Sequence, residues 1–271
     1  MPSKKVRLIL IGDVVGRFGR KFVQAVLPLI KAKFSPDVVI ANGENSAGGM
    51  GIIKRTADEL FETGVNVLTG GNHIWDKKEA LELLKTEKRI LRPLNYHFST
   101  PGNGSMVYKT AEGHPVVIIS LQGRVFMEPV VDNPFTTIDE FLKKNSHPIV
   151  LVDFHAEATA EKQAMGFFLD GRVSAVLGTH THVPTGDARV LENGTAYQTD
   201  VGMTGALDSI IGMKREPIIS KFYNGIHQKF EIAGGRQVLD MTMVDIDAQS
   251  GKALYVEAFR YNEADYGQQL S

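Results

Sequence analysis

Apolar residues along the chain fall in short β-branched runs separated by stretches with helical spacing. Residues 6–11, 37–41 and 66–69 read as strands, and 21–33, 56–63 and 75–85 as helices. Within 21–33, Phe22, Ala25, Val26, Leu29 and Ile30 share one face. This β-α-β-α-β-α order predicts an α/β fold with a mostly parallel sheet covered by helices. Further on, 106–108 and 116–121 read as strands joined through Glu112-Gly113, and 136–144 as a helix. Strands over 149–153 and 173–177 flank a helix over 158–169. After Gly178 the pattern is strand-rich, at 188–191, 195–199, 229–232, 238–245 and 253–259. The last two alternate apolar and polar positions, as half-exposed antiparallel strands do. No internal repeat or Pro/Ser-rich linker interrupts the pattern, so 1–271 reads as a single domain with a loose polar tail from about 262.

Polar, ligand-type residues recur just after these strands. The first ends in Gly12-Asp13, the second in Asn42-Gly43-Glu44-Asn45 and the third in Gly70-Gly71-Asn72-His73. Later strands end in Asp153-Phe154-His155 and in Gly178-Thr179-His180-Thr181-His182. Open α/β sheets bind ligands beyond the carboxyl ends of their strands, so all five clusters converge on one edge. Singly, each has an ordinary explanation: a cap at Asp13, a flexible loop at 42–51, a turn at 71–73, a core histidine at 155. Together they place a candidate ligand set of three of the eight histidines (155, 180, 182), two carboxylates (Asp13, Glu44) and two asparagines (Asn45, Asn72) after strands. In extended backbone His180 and His182 would share a face and approach one pair of ions.

Composition narrows the chemistry. There are no cysteines, which removes disulfides, thiolate metal sites and cysteine nucleophiles. Any metal must be held by nitrogen and oxygen donors, which favours Fe, Mn or Zn. Thirty basic residues against 31 acidic ones give a net charge of -1, with no extended nucleic-acid surface and no basic membrane-binding tail. The apolar run at 6–11 is too short for a signal peptide, and no segment approaches a membrane span, so the chain reads as cytoplasmic. Exposed antiparallel edges would permit a homo-oligomer.

A set of this kind suits two ions about 3.5–4 Å apart. Glu44 can bridge them, while neutral imidazoles and amide oxygens complete the shells and leave room for solvent and substrate. A water shared by the ions has its pKa lowered and becomes the nucleophile, and the ions neutralise charge building on a phosphoryl group.

The segments GDVVG (12–16), ANGENSAGG (41–49), TGGNHIWD (69–76), DFHAEATAEKQAMG (153–166), GTHTHVPT (178–185) and TDVGMTGALDSIIGM (199–213) closely resemble the YmdB-like branch of the calcineurin-type metallophosphoesterases. The resemblance runs from about residue 6 to 260. It implies a four-layer α/β/β/α sandwich and a phosphodiesterase that opens 2′,3′-cyclic nucleotides at the 2′ position to leave a 3′-phosphate. It implies that Asp13, Glu44, Asn45 and His182 hold one metal and that Glu44, Asn72, His155 and His180 hold the other. His73 would donate a proton to the leaving oxygen, a role for which imidazole titrates in the right range. Iron is the implied metal, with manganese as a substitute. Most of the wider superfamily has Asp-x-His at the first strand. Here Val15 stands where that His would be, and Asn45 is taken to fill the position.

Other residues carry weaker expectations. Arg17 and Arg20 are within reach of a phosphate or are solvated helix-start arginines. Thr179, Thr181 and Thr204 would line the pocket, with Asp200 and Asp208 behind it. Phe126 and Phe135 would stack on a base, although core packing is the plainer expectation for both. Two rivals remain. A metal-dependent amidohydrolase or deaminase also uses His-x-His, but at an early strand or with cysteine ligands. A non-catalytic nucleotide-binding module would rest on Gly12, Gly16 and Gly19, whose spacing departs from G-x-G-x-x-G. Activity on another phosphoester is the alternative within the same chemistry.

Overall fold

β-Branched runs with both parities apolar belong in a sheet covered on both faces, and the architecture follows from that. The computed structural model describes residues 5–226 and 228–263. In chain order the elements are β1 (Lys5–Ile11), β2 (Asp13–Val14), α1 (Gly16–Phe34), β3 (Val38–Asn42), α2 (Lys54–Thr63), β4 (Val67–Thr69), α3 (Ala80–Thr86) and β5 (Ile90–Leu91). There follow β6 (Ser105–Lys109), β7 (Pro115–Gln122), α4 (Pro134–Lys144), β8 (Ile149–His155), α5 (Thr159–Leu169) and β9 (Ala175–Thr179). The last are β10 (Arg189–Val190), β11 (Ala196–Gln198), β12 (Met203–Ala206), α6 (Arg215–Asn224), β13 (Gln237–Asp247) and β14 (Ala253–Asn262).

Two sheets result. In the first, β1, β3, β4 and β5 run parallel, and β1 pairs antiparallel with β13. One edge of β13 serves β1 and then β12, while β14 covers the other. In the second, of order β10-β11-β9-β8-β7-β6, strands β7, β8, β9 and β11 are parallel. The parallel strands of each sheet direct their carboxyl ends to the loops that carry the ligand-type residues.

Strand alternation divides most of the apolar residues among three large buried clusters, with a small fourth at Val15, Met203 and Val238. Ile9 and Ile11 of β1 and Val39 of β3 pack with Phe22, Val26 and Ile30 of α1 and Leu60 of α2. The opposite parity, Leu8, Leu10 and Ile40, packs against Ile118, Leu151 and Leu177 of the other sheet. On that sheet's far face, Val117, Ile119, Val152 and Phe154 meet Ile138 of α4 and Met165 and Leu169 of α5.

Several expectations need correction. Helix α1 starts at Gly16 rather than 21 and continues through Pro28, whose missing N–H deprives Gln24 of a helical partner. Gly16 and Gly19 hid this start. Gly19 is required because α1 lies on β12, where an added Cβ would sit 2.3 Å from the Thr204 carbonyl oxygen. Helix α3 starts at Ala80, with turns over 75–79 instead of helix. Residues 229–232 form no strand; they contribute only an isolated bridge between Ile232 and Met213. Helix α6 was not expected, because its moderately apolar residues do not segregate to one face; Ile219, Phe222 and Tyr223 are exposed. Asn262 closes β14 rather than beginning a tail, and 264–271 lie outside the described residues. Among the described residues, no helix is long and apolar enough to cross a membrane.

Ile118, fully buried between the sheets, tests this packing. Ile118→Ala is expected to lower the unfolding free energy by about 2–5 kcal/mol in chemical denaturation. A loss well below 1 kcal/mol would contradict a close-packed interface there.

Candidate metal centre

The ligand-type residues gather into two adjoining groups. The first centres on His155 at the end of β8. Its Nε2 lies 2.9 Å from Glu44 Oε1, 3.0 Å from His180 Nδ1 and 3.2 Å from Asn72 Oδ1. The Thr179 hydroxyl donates to Asp153 Oδ1 at 2.7 Å, so its oxygen accepts from the His155 Nδ1–H at 2.9 Å. In the neutral ring that leaves the Nε2 lone pair facing the group. Gly71 makes the approach possible, since a Cβ there would fall 2.0 Å from the His155 ring. In the second group, His182 Nδ1 donates to the Ile211 carbonyl at 2.9 Å, which directs Nε2 toward Asn45 Nδ2 (3.2 Å) and Asp13 Oδ1 (3.6 Å). Asn45 Nδ2 is 3.4 Å from the same Asp13 oxygen. A half-turn of the Asn45 amide would present its oxygen instead.

These groups fit metal ions better than they fit one another. Donors bound at right angles about 2.1 Å from one ion stand about 3.0 Å apart, which is the spacing around His155. One proton on His155 Nε2 cannot serve Glu44, His180 and Asn72 together, whereas one cation among them can. Glu44 is fully buried, and its Oε1 has no hydrogen-bond donor despite the close imidazole. The nitrogen and oxygen donors of Glu44, His155 and His180 lie within 4.8 Å of one another and could hold a metal ion.

Beyond β9, the turn over 180–182 is not extended. His180 and His182 both have positive φ, 103° and 64°, a conformation costing non-glycine residues on the order of 1–3 kcal/mol each. Their imidazoles therefore part, one to each group, instead of lying side by side. Four contacts hold the turn. The His180 N–H donates to Asp13 Oδ2 (3.1 Å) and the Thr181 N–H to Asp200 Oδ2 (3.1 Å). Lys162 Nζ, buried on α5, donates to Asp200 Oδ2 (2.6 Å) and to the Thr179 carbonyl (2.7 Å).

A family model described as "YmdB-like protein" matches residues 9–259. The chain belongs to the YmdB-like family. It is 44% identical over 260 residues to a Bacillus subtilis protein named 2′,3′-cyclic-nucleotide 2′-phosphodiesterase, covering 95% of this chain and 98% of the relative. A crystal structure from Thermus thermophilus has a TM-score of 0.90 at 43% identity, covering 95% of this chain and all (100%) of that one. One from Mycoplasma pneumoniae, described as a novel phosphatase, has a TM-score of 0.92 at 35% identity and covers 98% of both chains.

In this YmdB-like chain the charges of the site are strongly interdependent. Burial disfavours the charged form of His155, but the Glu44 carboxylate outweighs it and raises the imidazole to about 9. Burial and the neighbouring His155 push His180 down to about 3. Burial would raise Asp13, yet His182 and the His180 N–H hold it below the ordinary carboxylate range. Burial dominates at Asp153, which rises to about 6.

His73 stands at the rim. Its N–H donates to Glu44 Oε2 (3.2 Å), and its Nδ1 lies 2.9 Å from Asp76 Oδ2. The ring lines a cleft of about 620 Å³ with Asn72, Asp76, Phe126 and His180. Asp76 went unnoticed as a partner although it lies three residues on, where one turn brings it back to His73. Lys162 was also missed. Its signal was a lysine on the same helical stripe as Met165 and Leu169. Asp200 lies behind the site as expected, whereas Asp208 forms a surface ion pair with Arg236. Arg20 is occupied by Glu59 and the Ser46 carbonyl.

Two outcomes follow. Lys162→Met strands Asp200 in the interior and is expected to cost about 3–5 kcal/mol of stability by denaturant unfolding; an unchanged midpoint would contradict the role given to the pair. At neutral pH His155, raised to about 9, holds a proton that an incoming ion must expel. Affinity for Mn²⁺ should therefore rise with pH up to about 9, by up to roughly tenfold per unit for each proton displaced. Calorimetry in buffers of different ionisation enthalpy should detect the released proton, and pH-independent binding without release would contradict this.

Proposed function

We propose that the chain is a metal-dependent phosphodiesterase that hydrolyses 2′,3′-cyclic nucleotides to 3′-nucleotides. The observation that carries this reading is two adjoining nitrogen–oxygen donor groups, one of which shares a cleft with the His73–Asp76 pair through Asn72 and His180. Asp13, Glu44, Asn45 and His182 would hold one ion and Glu44, Asn72, His155 and His180 the other, with Glu44 common to both. Iron, or manganese in its place, suits this donor set. Bound ions would supply an activated water and neutralise the phosphoryl charge.

The chain's own residues do the rest. Asp76 orients the His73 ring through Nδ1, and His73 gives a proton to O2′ as the P–O2′ bond breaks and the water oxygen bonds to phosphorus. Asn72 and His180 line the same cleft as His73 and Asp76. The substrate assignment is supported by 44% identity to the Bacillus subtilis protein of that name. The description of the Mycoplasma relative as a phosphatase makes phosphomonoesters the second substrate to assay. We also read the two sheets, each with helices packed on its outer face, as a four-layer α/β/β/α sandwich forming one domain. The three large apolar clusters support that reading.

The test is metal content and turnover on one preparation purified without chelator. About two ions per chain and conversion of 2′,3′-cyclic AMP to 3′-AMP are expected. His73→Ala should keep the metal and lose roughly 10²- to 10⁴-fold in kcat, while Glu44→Gln should lose both. Loss of metal in His73→Ala would overturn its assignment as the acid. Absence of metal and turnover after loading with Mn²⁺ or Fe²⁺ would leave the non-catalytic binding module.

A further inference from the structure

The segment 123–132, between β7 and α4, is anchored on both sides of a single exposed ring. The Gly123 N–H donates to the His155 carbonyl at 2.9 Å. The Arg124 N–H lies 3.0 and 3.1 Å from the two oxygens of the Glu161 carboxylate, and the Val125 N–H donates to it at 3.1 Å. Met127 is buried, Gln122 Nε2 donates to the Pro129 carbonyl at 3.3 Å, and the Asp132 N–H donates to the Asn95 carbonyl at 2.9 Å. Among the apolar side chains exposed there, Val125, Phe126 and Val130, Phe126 projects furthest, between these anchors. Its φ is +60°, the left-handed region that a bulky side chain avoids, and it is 88% exposed.

Both features are unfavourable and neither serves the fold, where a glycine would relieve each. Conformational strain that persists without internal return collects at ligand sites. Phe126 is at such a place, on the cleft of about 620 Å³ shared with Asn72, His73, Asp76 and His180. That volume is ordinary for a small-molecule site. Its lining combines the polar, reactive side chains of Asn72, His73, Asp76 and His180 with the aromatic ring of Phe126. A nucleotide has the same combination, with a phosphorylated ribose at one end and a flat base at the other. Phe135, in the first turn of α4, instead packs edge-on against Phe168 at 5.4 Å.

We propose that Phe126 is a nucleobase-stacking platform, so that the substrate is a base-bearing nucleotide and not a bare cyclic phosphodiester. This deepens the phosphodiesterase reading and rests on it. Every base has a stackable face, so the platform discriminates base from no base rather than among bases.

The test compares 2′,3′-cyclic AMP with ribose 2′,3′-cyclic phosphate, which has the same ester and no base, and measures the Kd of 3′-AMP by calorimetry. Phe126→Ala is expected to raise KM for 2′,3′-cyclic AMP and Kd for 3′-AMP by roughly 5- to 150-fold. Turnover at saturation and all constants for the base-free ester should change little, and Phe126→Trp should restore affinity. Phe126→Gly should weaken 3′-AMP binding equally without lowering Tm, because it removes the ring and relaxes the backbone. An unchanged Kd in Phe126→Ala, or equal losses on both esters, would overturn the proposal. If the wild type turns over neither ester, the phosphodiesterase reading fails, and the stacking role is then decided by whether 3′-AMP binding depends on Phe126.

Discussion

Two fully buried carboxylates, Asp13 and Glu44, sit among three imidazoles, and the site depends on compensating their charge. An isolated carboxylate cannot remain ionised in so dry a place. Protons on His155 and His182 offset part of the charge, which is why the carboxylates raise both imidazoles. Protons are poor partners for groups that each offer several lone pairs at about 3 Å spacing. Cations are better ones, and the same geometry that strains the interior prepares it to hold them.

The surrounding fold serves that constraint. Parallel strands from two sheets deliver the donors to one edge, and the turn over 180–182 takes a backbone path that neither histidine favours. It is held by Asp13 from one sheet and by the Lys162–Asp200 pair from behind. A buried ion pair is a costly way to gain stability. Its return here is position, because Asp200 and Lys162 bond to the backbone on either side of His180. The His155 ring is fixed in a related way, by the Thr179 hydroxyl that is itself tied to Asp153.

Much of this was legible in the sequence, for identifiable reasons. Strands such as β1, β3 and β8 are apolar at both parities because each faces two cores, and such runs stand out. Ligand-type residues following those strands marked the edge where Asp13, Glu44, Asn45, Asn72, His155, His180 and His182 gather. What stayed hidden depends on conformation or distant contact. The split of the two histidines follows from positive φ values that no residue pattern announces. Glycines concealed the start of α1, since glycine usually interrupts a helix. Asp76 lies beside His73 through one local turn, and Lys162 reaches Asp200 and the Thr179 carbonyl only once its helix packs on β9. Phe126 read as core because aromatic residues usually are; its exposure comes from a loop pinned on either side.

The most direct measurement is anomalous diffraction from crystals of the chain loaded with Mn²⁺ or Fe²⁺. Two peaks are predicted, one among Glu44, Asn72, His155 and His180 and one among Asp13, Glu44, Asn45 and His182, about 3.5–4 Å apart. No peak in the fully loaded protein, or peaks only at surface carboxylates away from His155 and His182, would contradict the site.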